Sequence, residues 1–94
     1  MPGMPMHRKS GWLYEPEGRD PHILGSAGLY EKTDNAGWEV RVYTPGNPSH
    51  RETHDFDTED KARKAFEAVL TQGRAIGRWK LSEGGGYSRS YQWE

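Results

Sequence analysis

The chain contains no cysteine, which removes disulfides, thiolate nucleophiles and cysteine-ligated zinc together. A small domain that must hold without covalent cross-links is typical of a reducing compartment, so the expectation is a cytoplasmic protein. Long hydrophobic runs are missing too. Nothing approaches the ~20 consecutive apolar residues that cross a bilayer, and the opening residues Met1 to Lys9 lack the apolar segment of an export signal. Neither sign of charge dominates: 13 Lys and Arg face 14 Asp and Glu, for a net charge of -1. That balance excludes a protein that coats nucleic acid by bulk charge, and equally an acidic mimic of DNA, so any ligand must be met by a local face.

Aliphatic side chains are scarce as well. Leu, Ile, Val and Phe number 12 of 94 residues, a poverty that in a highly charged chain signals disorder. Here 4 Trp and 5 Tyr can supply the buried area that the aliphatics do not. The length fits a single domain with a small, aromatic-rich core.

What is present is a clear order of elements between Leu29 and Leu70. Gly28 to Lys32 reads as a strand, closed by Asp34-Asn35-Ala36-Gly37, whose Asn and Gly suit a tight hairpin. In Trp38-Glu39-Val40-Arg41-Val42-Tyr43-Thr44, alternation puts Trp38, Val40 and Val42 on one face and Glu39, Arg41 and Tyr43 on the other. After the turn Thr44 to Ser49, a third strand from His50 to Phe56 turns Phe56 inward and leaves Arg51, Thr53 and Asp55 outward. Asp57 or Thr58 then caps a helix through about Gln72, with Gly73 as its stop. Ala62, Ala65, Phe66, Val69 and Leu70 form one apolar stripe, while Glu59/Arg63 and Asp60/Lys64 are i,i+4 ion pairs on the opposite, solvated face.

The flanks are less patterned. Residues 1–11 read as a flexible arm with a His7-Arg8-Lys9 cluster, and 12–94 as one domain with its core at 28–72. Trp12-Leu13-Tyr14 suggests a short edge strand ended by Pro16, and Ile23-Leu24 the anchor of a loop from Glu15 to Ser26. A C-terminal hairpin over 78–93 would break at Gly84-Gly85-Gly86 and put Tyr87, Arg89, Tyr91 and Trp93 on one side, as core or sheet-covering residues rather than a stacking platform. The predicted class is α+β: a small antiparallel sheet of three central strands plus terminal strands, packed against one helix.

Catalytic motifs do not emerge. His50 and His54 share a strand face but stand too far apart to ligate one metal, and no third ligand accompanies them. The triple glycine lacks the Lys and Ser/Thr of a phosphate-cradling loop, and no serine sits in a nucleophile elbow. The expectation is a non-enzymatic protein without cofactor or metal. Its candidate binding residues are Tyr30, Lys32, Arg41, Tyr43, Arg51 and Thr53, gathered on the outer face of the sheet and diluted by Glu39 and Asp55. Arg beside Tyr is a mixture that meets phosphates and base edges, and also protein interfaces.

The segment Gly28-Leu29-Tyr30-Glu31-Lys32, Gly37-Trp38-Glu39-Val40-Arg41-Val42 and Asp55-Phe56-Asp57-Thr58 leading into the Ala-rich helix through Phe66 resembles two DNA-binding families. It is similar to the arm-type DNA-binding domains of tyrosine recombinases and to the plant ethylene-response DNA-binding domain, in which the sheet enters the major groove. The resemblance covers about half of the chain. It implies duplex DNA as the ligand, the six outer-face residues as groove-facing, and Trp38, Val40, Val42, Phe56, Ala62 and Phe66 as packing positions. The alternative is a small interaction, accessory or inhibitor protein of the mobile-element type, docking on a protein partner through the same face. Neither reading involves a membrane or a small-molecule cofactor.

Overall fold

A computed structural model describes residues 6–16, 22–32, 37–84 and 90–94. Four strands, β1 (Met6–Tyr14), β2 (Ile23–Lys32), β3 (Gly37–Thr44) and β4 (His50–Phe56), run as an antiparallel meander. The helix α1 (Glu59–Arg74) then returns the chain across one face, so that β5 (Arg78–Glu83) pairs with the far side of β1 and the short β6 (Gln92–Trp93) follows on β5. The result is a six-stranded antiparallel sheet of order β4-β3-β2-β1-β5-β6 with one helix on it, an α+β fold.

The register divides the side chains between two faces. Leu13, Ala27, Leu29, Val40 and Trp79 lie under the helix and meet Ala62, Phe66 and Leu70 in the core. Burial of side chains the size of Phe66, Leu29, Leu70 and Val40, each almost fully enclosed, contributes roughly 1.5–3 kcal/mol apiece. The helix begins where the sequence indicates: Thr58 has extended backbone and its Oγ1 accepts a hydrogen bond from the Lys61 amide at 3.3 Å. The i,i+4 pairs also form, at 2.6 Å for Arg63 with Glu59 and 3.1 Å for Lys64 with Asp60.

Several expectations are corrected. Residues 6–11 belong to the sheet, and β1 lies between β2 and β5 rather than at an edge. Its sequence hides this because its neighbours fill the space its own side chains leave. A Cβ on Gly11 would stand 2.7 Å from Leu81 Cδ2 and 3.0 Å from the Trp79 ring, so those large groups pack directly on the β1 backbone. Lys9 holds its ammonium 5.8 Å from the Phe66 ring centre and 3.5 Å from Glu83, with its stem on the core. A central strand can thus lack apolar alternation. Ile23 and Leu24, read as a loop anchor, begin β2, and β4, read as one of three central strands, is an edge.

Gly73 is not the helix stop. The helix runs through it to Arg74, with Ala75 in right-handed conformation as the cap. A glycine is needed there because the Trp79 indole lies on it, held by a 2.8 Å hydrogen bond from Nε1 to the Leu70 carbonyl. The C-terminal hairpin exists as the β5–β6 pairing. Tyr87 and Arg89 lie outside the described residues.

Candidate functional site

The helix covers one face of the sheet; the other face carries the site. Register places Ser10, Trp12 and Tyr14 of β1, Ser26, Gly28, Tyr30 and Lys32 of β2, and Glu39, Arg41 and Tyr43 of β3 on this outer side. Arg51, Thr53 and Asp55 of β4 and Arg78 and Lys80 of β5 join them. All six candidate residues, Tyr30, Lys32, Arg41, Tyr43, Arg51 and Thr53, therefore share one face. Thr53 stands opposite Arg41, and Arg51 opposite Tyr43.

They are not chemically equivalent. Lys32 Nζ is 2.6 Å from Asp55 Oδ1, and Arg41 Nε donates to Glu39, whose side chain is only 10% exposed. These two carboxylates hold two of the cations in place. Arg51 lies over the Tyr43 ring at 4.5 Å, with no carboxylate at ion-pair distance among the described residues. Tyr30 anchors the middle of the face: its ring stacks on His7 at 4.6 Å and 18°, and the Arg41 guanidinium lies 4.3 Å from its centre. Room for that ring comes from Gly28, where a Cβ would approach Tyr30 Cε2 to 2.6 Å.

The small residues at the centre open a depression of about 290 Å3. Ser10, Ser26 and Gly28 leave it shallow-floored, while Trp12, Tyr30, Tyr43 and Tyr91 stand around it with Arg41 and Arg51. Tyr91 is fixed on the β1 side by a 3.0 Å hydrogen bond between its hydroxyl and Ser10 Oγ. At the other end of the face, Trp93 is 44% exposed and meets the Tyr14 ring edge-on at 5.3 Å, with Arg78 at 4.8 Å and Lys80 at 5.3 Å. Of the two roles expected for the C-terminal aromatics, core or sheet-covering, Trp93 takes the second, lying on the sheet with Arg78 and Lys80 over its ring and part of it left exposed.

Among the described residues, six aromatic side chains share the outer face, namely Trp12, Tyr14, Tyr30, Tyr43, Tyr91 and Trp93, and none of them is buried. Its strands also carry five cations (Lys32, Arg41, Arg51, Arg78, Lys80) against two carboxylates (Glu39, Asp55). A chain of net charge -1 has thereby sorted positive charge to one side. Sequence reasoning found the half of this face on β2–β4. It misses His7 and Ser10, which the arm reading of residues 1–11 sets apart from the sheet, and Trp12, which the short edge strand leaves without β5 beside it.

Other titratable groups lie apart. On the helix side of β4, Glu52 accepts hydrogen bonds from His50 at 3.0 Å and His54 at 3.4 Å, which hold its carboxyl below the ordinary Glu value. Among the described residues, no three such side chains are grouped to hold a metal ion, and no helix is long and apolar enough to cross a membrane. No family model, curated protein or solved structure matches this chain.

Proposed function

We propose that this protein is a non-catalytic nucleic-acid-binding module that receives its ligand on the uncovered face of the sheet. The observation that carries this reading is the gathering, among the described residues, of six half-buried or exposed aromatic side chains and an excess of cations on the face the helix leaves bare. Rings offer stacking partners to bases of any identity at about 1–3 kcal/mol per base, and the cations track phosphates. A concave floor ringed by Trp12, Tyr30, Tyr43 and Tyr91 suits unpaired bases, whereas entry into a duplex groove demands side chains that project outward. Single-stranded DNA or RNA is therefore the favoured ligand.

Duplex DNA is the second reading, supported by the resemblance of the Gly28 to Phe66 segment to sheet-based DNA-binding domains. On this face Lys32 and Arg41 are already engaged by Asp55 and Glu39, which lowers the number of cations available to a duplex. The test is fluorescence anisotropy with labelled single-stranded DNA, single-stranded RNA and duplex of equal length, at ~50 and ~200 mM salt. Single strands should bind, quench Trp fluorescence, and weaken as salt rises. Tyr43→Ala should weaken that binding by about 5- to 100-fold, and Arg78→Ala should reduce the salt slope by about 1. Duplex bound more tightly than single strands would select the second reading. No binding of any nucleic acid at low salt would refute both and turn attention to a protein partner for the same face.

A further inference from the structure

The edge strand β4 carries a self-complementary pattern, and we infer that it is the contact through which two copies of this chain join their sheets antiparallel about a two-fold axis at Thr53. The sheet order ends at β4, so one side of its backbone has no strand partner among the described residues. Edges of this kind are normally blunted by a bulge, a proline, a covering segment or charged side chains, and of these β4 has only its charges, Arg51, Glu52 and Asp55. β4 pairs with β3 in seven consecutive steps from Trp38↔Phe56 to Thr44↔His50, without a register shift, and contains no proline. It is a regular template for another strand.

The charges choose the partner. In an antiparallel pair, directly opposed residues point to the same side, so the outer faces of both copies stay on one side only if an outward residue opposes an outward one. That condition admits three central registers. With Glu52 at the axis, Glu52 opposes Glu52 and His50 opposes His54; with His54 at the axis, the two His54 rings oppose each other, and Arg51 reaches only Asp57, which lies beyond the end of β4 and is already paired with Lys61 at 3.0 Å. With Thr53 at the axis, Arg51 opposes Asp55 of the second copy and Glu52 opposes His54, each twice by symmetry. Only this register sets opposite charges together within the strand. The existing contacts are compatible with it: Asp55 is held by Lys32 at 2.6 Å and stays 66% exposed, while Arg51 lies over Tyr43 beside it. Joining would make a twelve-stranded sheet, since each copy contributes six, with both aromatic faces on the same side.

Sedimentation equilibrium on the full chain from ~10 μM to ~1 mM tests the inference, because a contact of one short strand falls at the weak end of protein interfaces. A monomer–dimer equilibrium is expected. Arg51→Asp places like charges opposite each other twice and should weaken association at least about tenfold, on the scale of cross-strand pair energies. The double exchange Arg51→Asp/Asp55→Arg should restore it, which a general loss of stability would not do. In the wild type, β4 amides should gain hydrogen-exchange protection with concentration, a readout independent of any variant. A monomer throughout the range, a dimer indifferent to Arg51→Asp, or protection rising elsewhere than β4 would each overturn the proposal.

Discussion

Replacement of Gly73 by alanine sets two physical effects against each other. In an exposed helix interior the change would stabilise by about 0.8–1.0 kcal/mol, the difference in helix propensity. Gly73, however, is buried in α1, and an added Cβ would stand 2.5 Å from Trp79 Cζ2 and 2.6 Å from Cε2 and Nε1. Those atoms belong to a rigid ring that is 3% exposed and hydrogen-bonded to the Leu70 carbonyl, so the ring must shift and its bond must lengthen. Overpacking of this kind costs roughly 1–3 kcal/mol and the weakened hydrogen bond about 1 more. The clash outweighs the propensity, and Gly73→Ala should destabilise by about 2 kcal/mol, or lower Tm by roughly 10 °C in a domain of this size. Urea titration followed by circular dichroism and Trp fluorescence measures it. Trp79→Phe removes part of the obstructing ring, so the double variant should be less destabilised than the sum of the singles. A Gly73→Ala protein as stable as the wild type, or additive behaviour in the cycle, would refute the packing account.

Two further outcomes are expected. Phe66→Ala should cost about 3–5 kcal/mol in chemical denaturation because Phe66 is 1% exposed at the centre of the core, while Lys64→Ala, with its side chain 78% exposed, should stay within about 0.5 kcal/mol. Stability should also fall with acid. The Arg74 guanidinium holds Glu94 below the ordinary 4.5, and Lys61 does the same for Asp57 against 3.8. Lowered carboxyls contribute stability that is present above their unfolded values and lost as pH falls through the folded ones, so Tm should be level above about pH 5 and decline below it. Glu94→Gln should make that decline shallower, and an unchanged acid profile would remove the Arg74–Glu94 pair from the account.

Where side chains carry their own period, the sequence was legible. Trp38, Val40 and Val42 alternate and pack inward, and Ala62, Phe66 and Leu70 form the stripe that meets them. The six candidate residues likewise share a face because strand alternation alone decides it. Legibility failed where one residue's role is set by another far along the chain. Gly11 gives no sign that Leu81 and Trp79 will fill the space above it, and Gly73 looks like a terminator until Trp79 is found against it. The pairing of Ser10 with Tyr91 was equally out of reach, since nothing local to either residue names the other.

The sheet order has a consequence for assembly in time. β2, β3 and β4 can each pair with the strand made just before it, but β1 acquires its second neighbour only when β5 arrives, with Ser10 meeting Ser82. Closing so long a loop costs entropy before any contact rewards it, and folds dominated by such distant pairings form slowly. β1 should thus wait until β2, β3, β4 and α1 have been made before its second side is covered. Lys9, Ser10 and Gly11 keep the middle of this waiting strand small or charged, which leaves few apolar groups there for other nascent chains to hold.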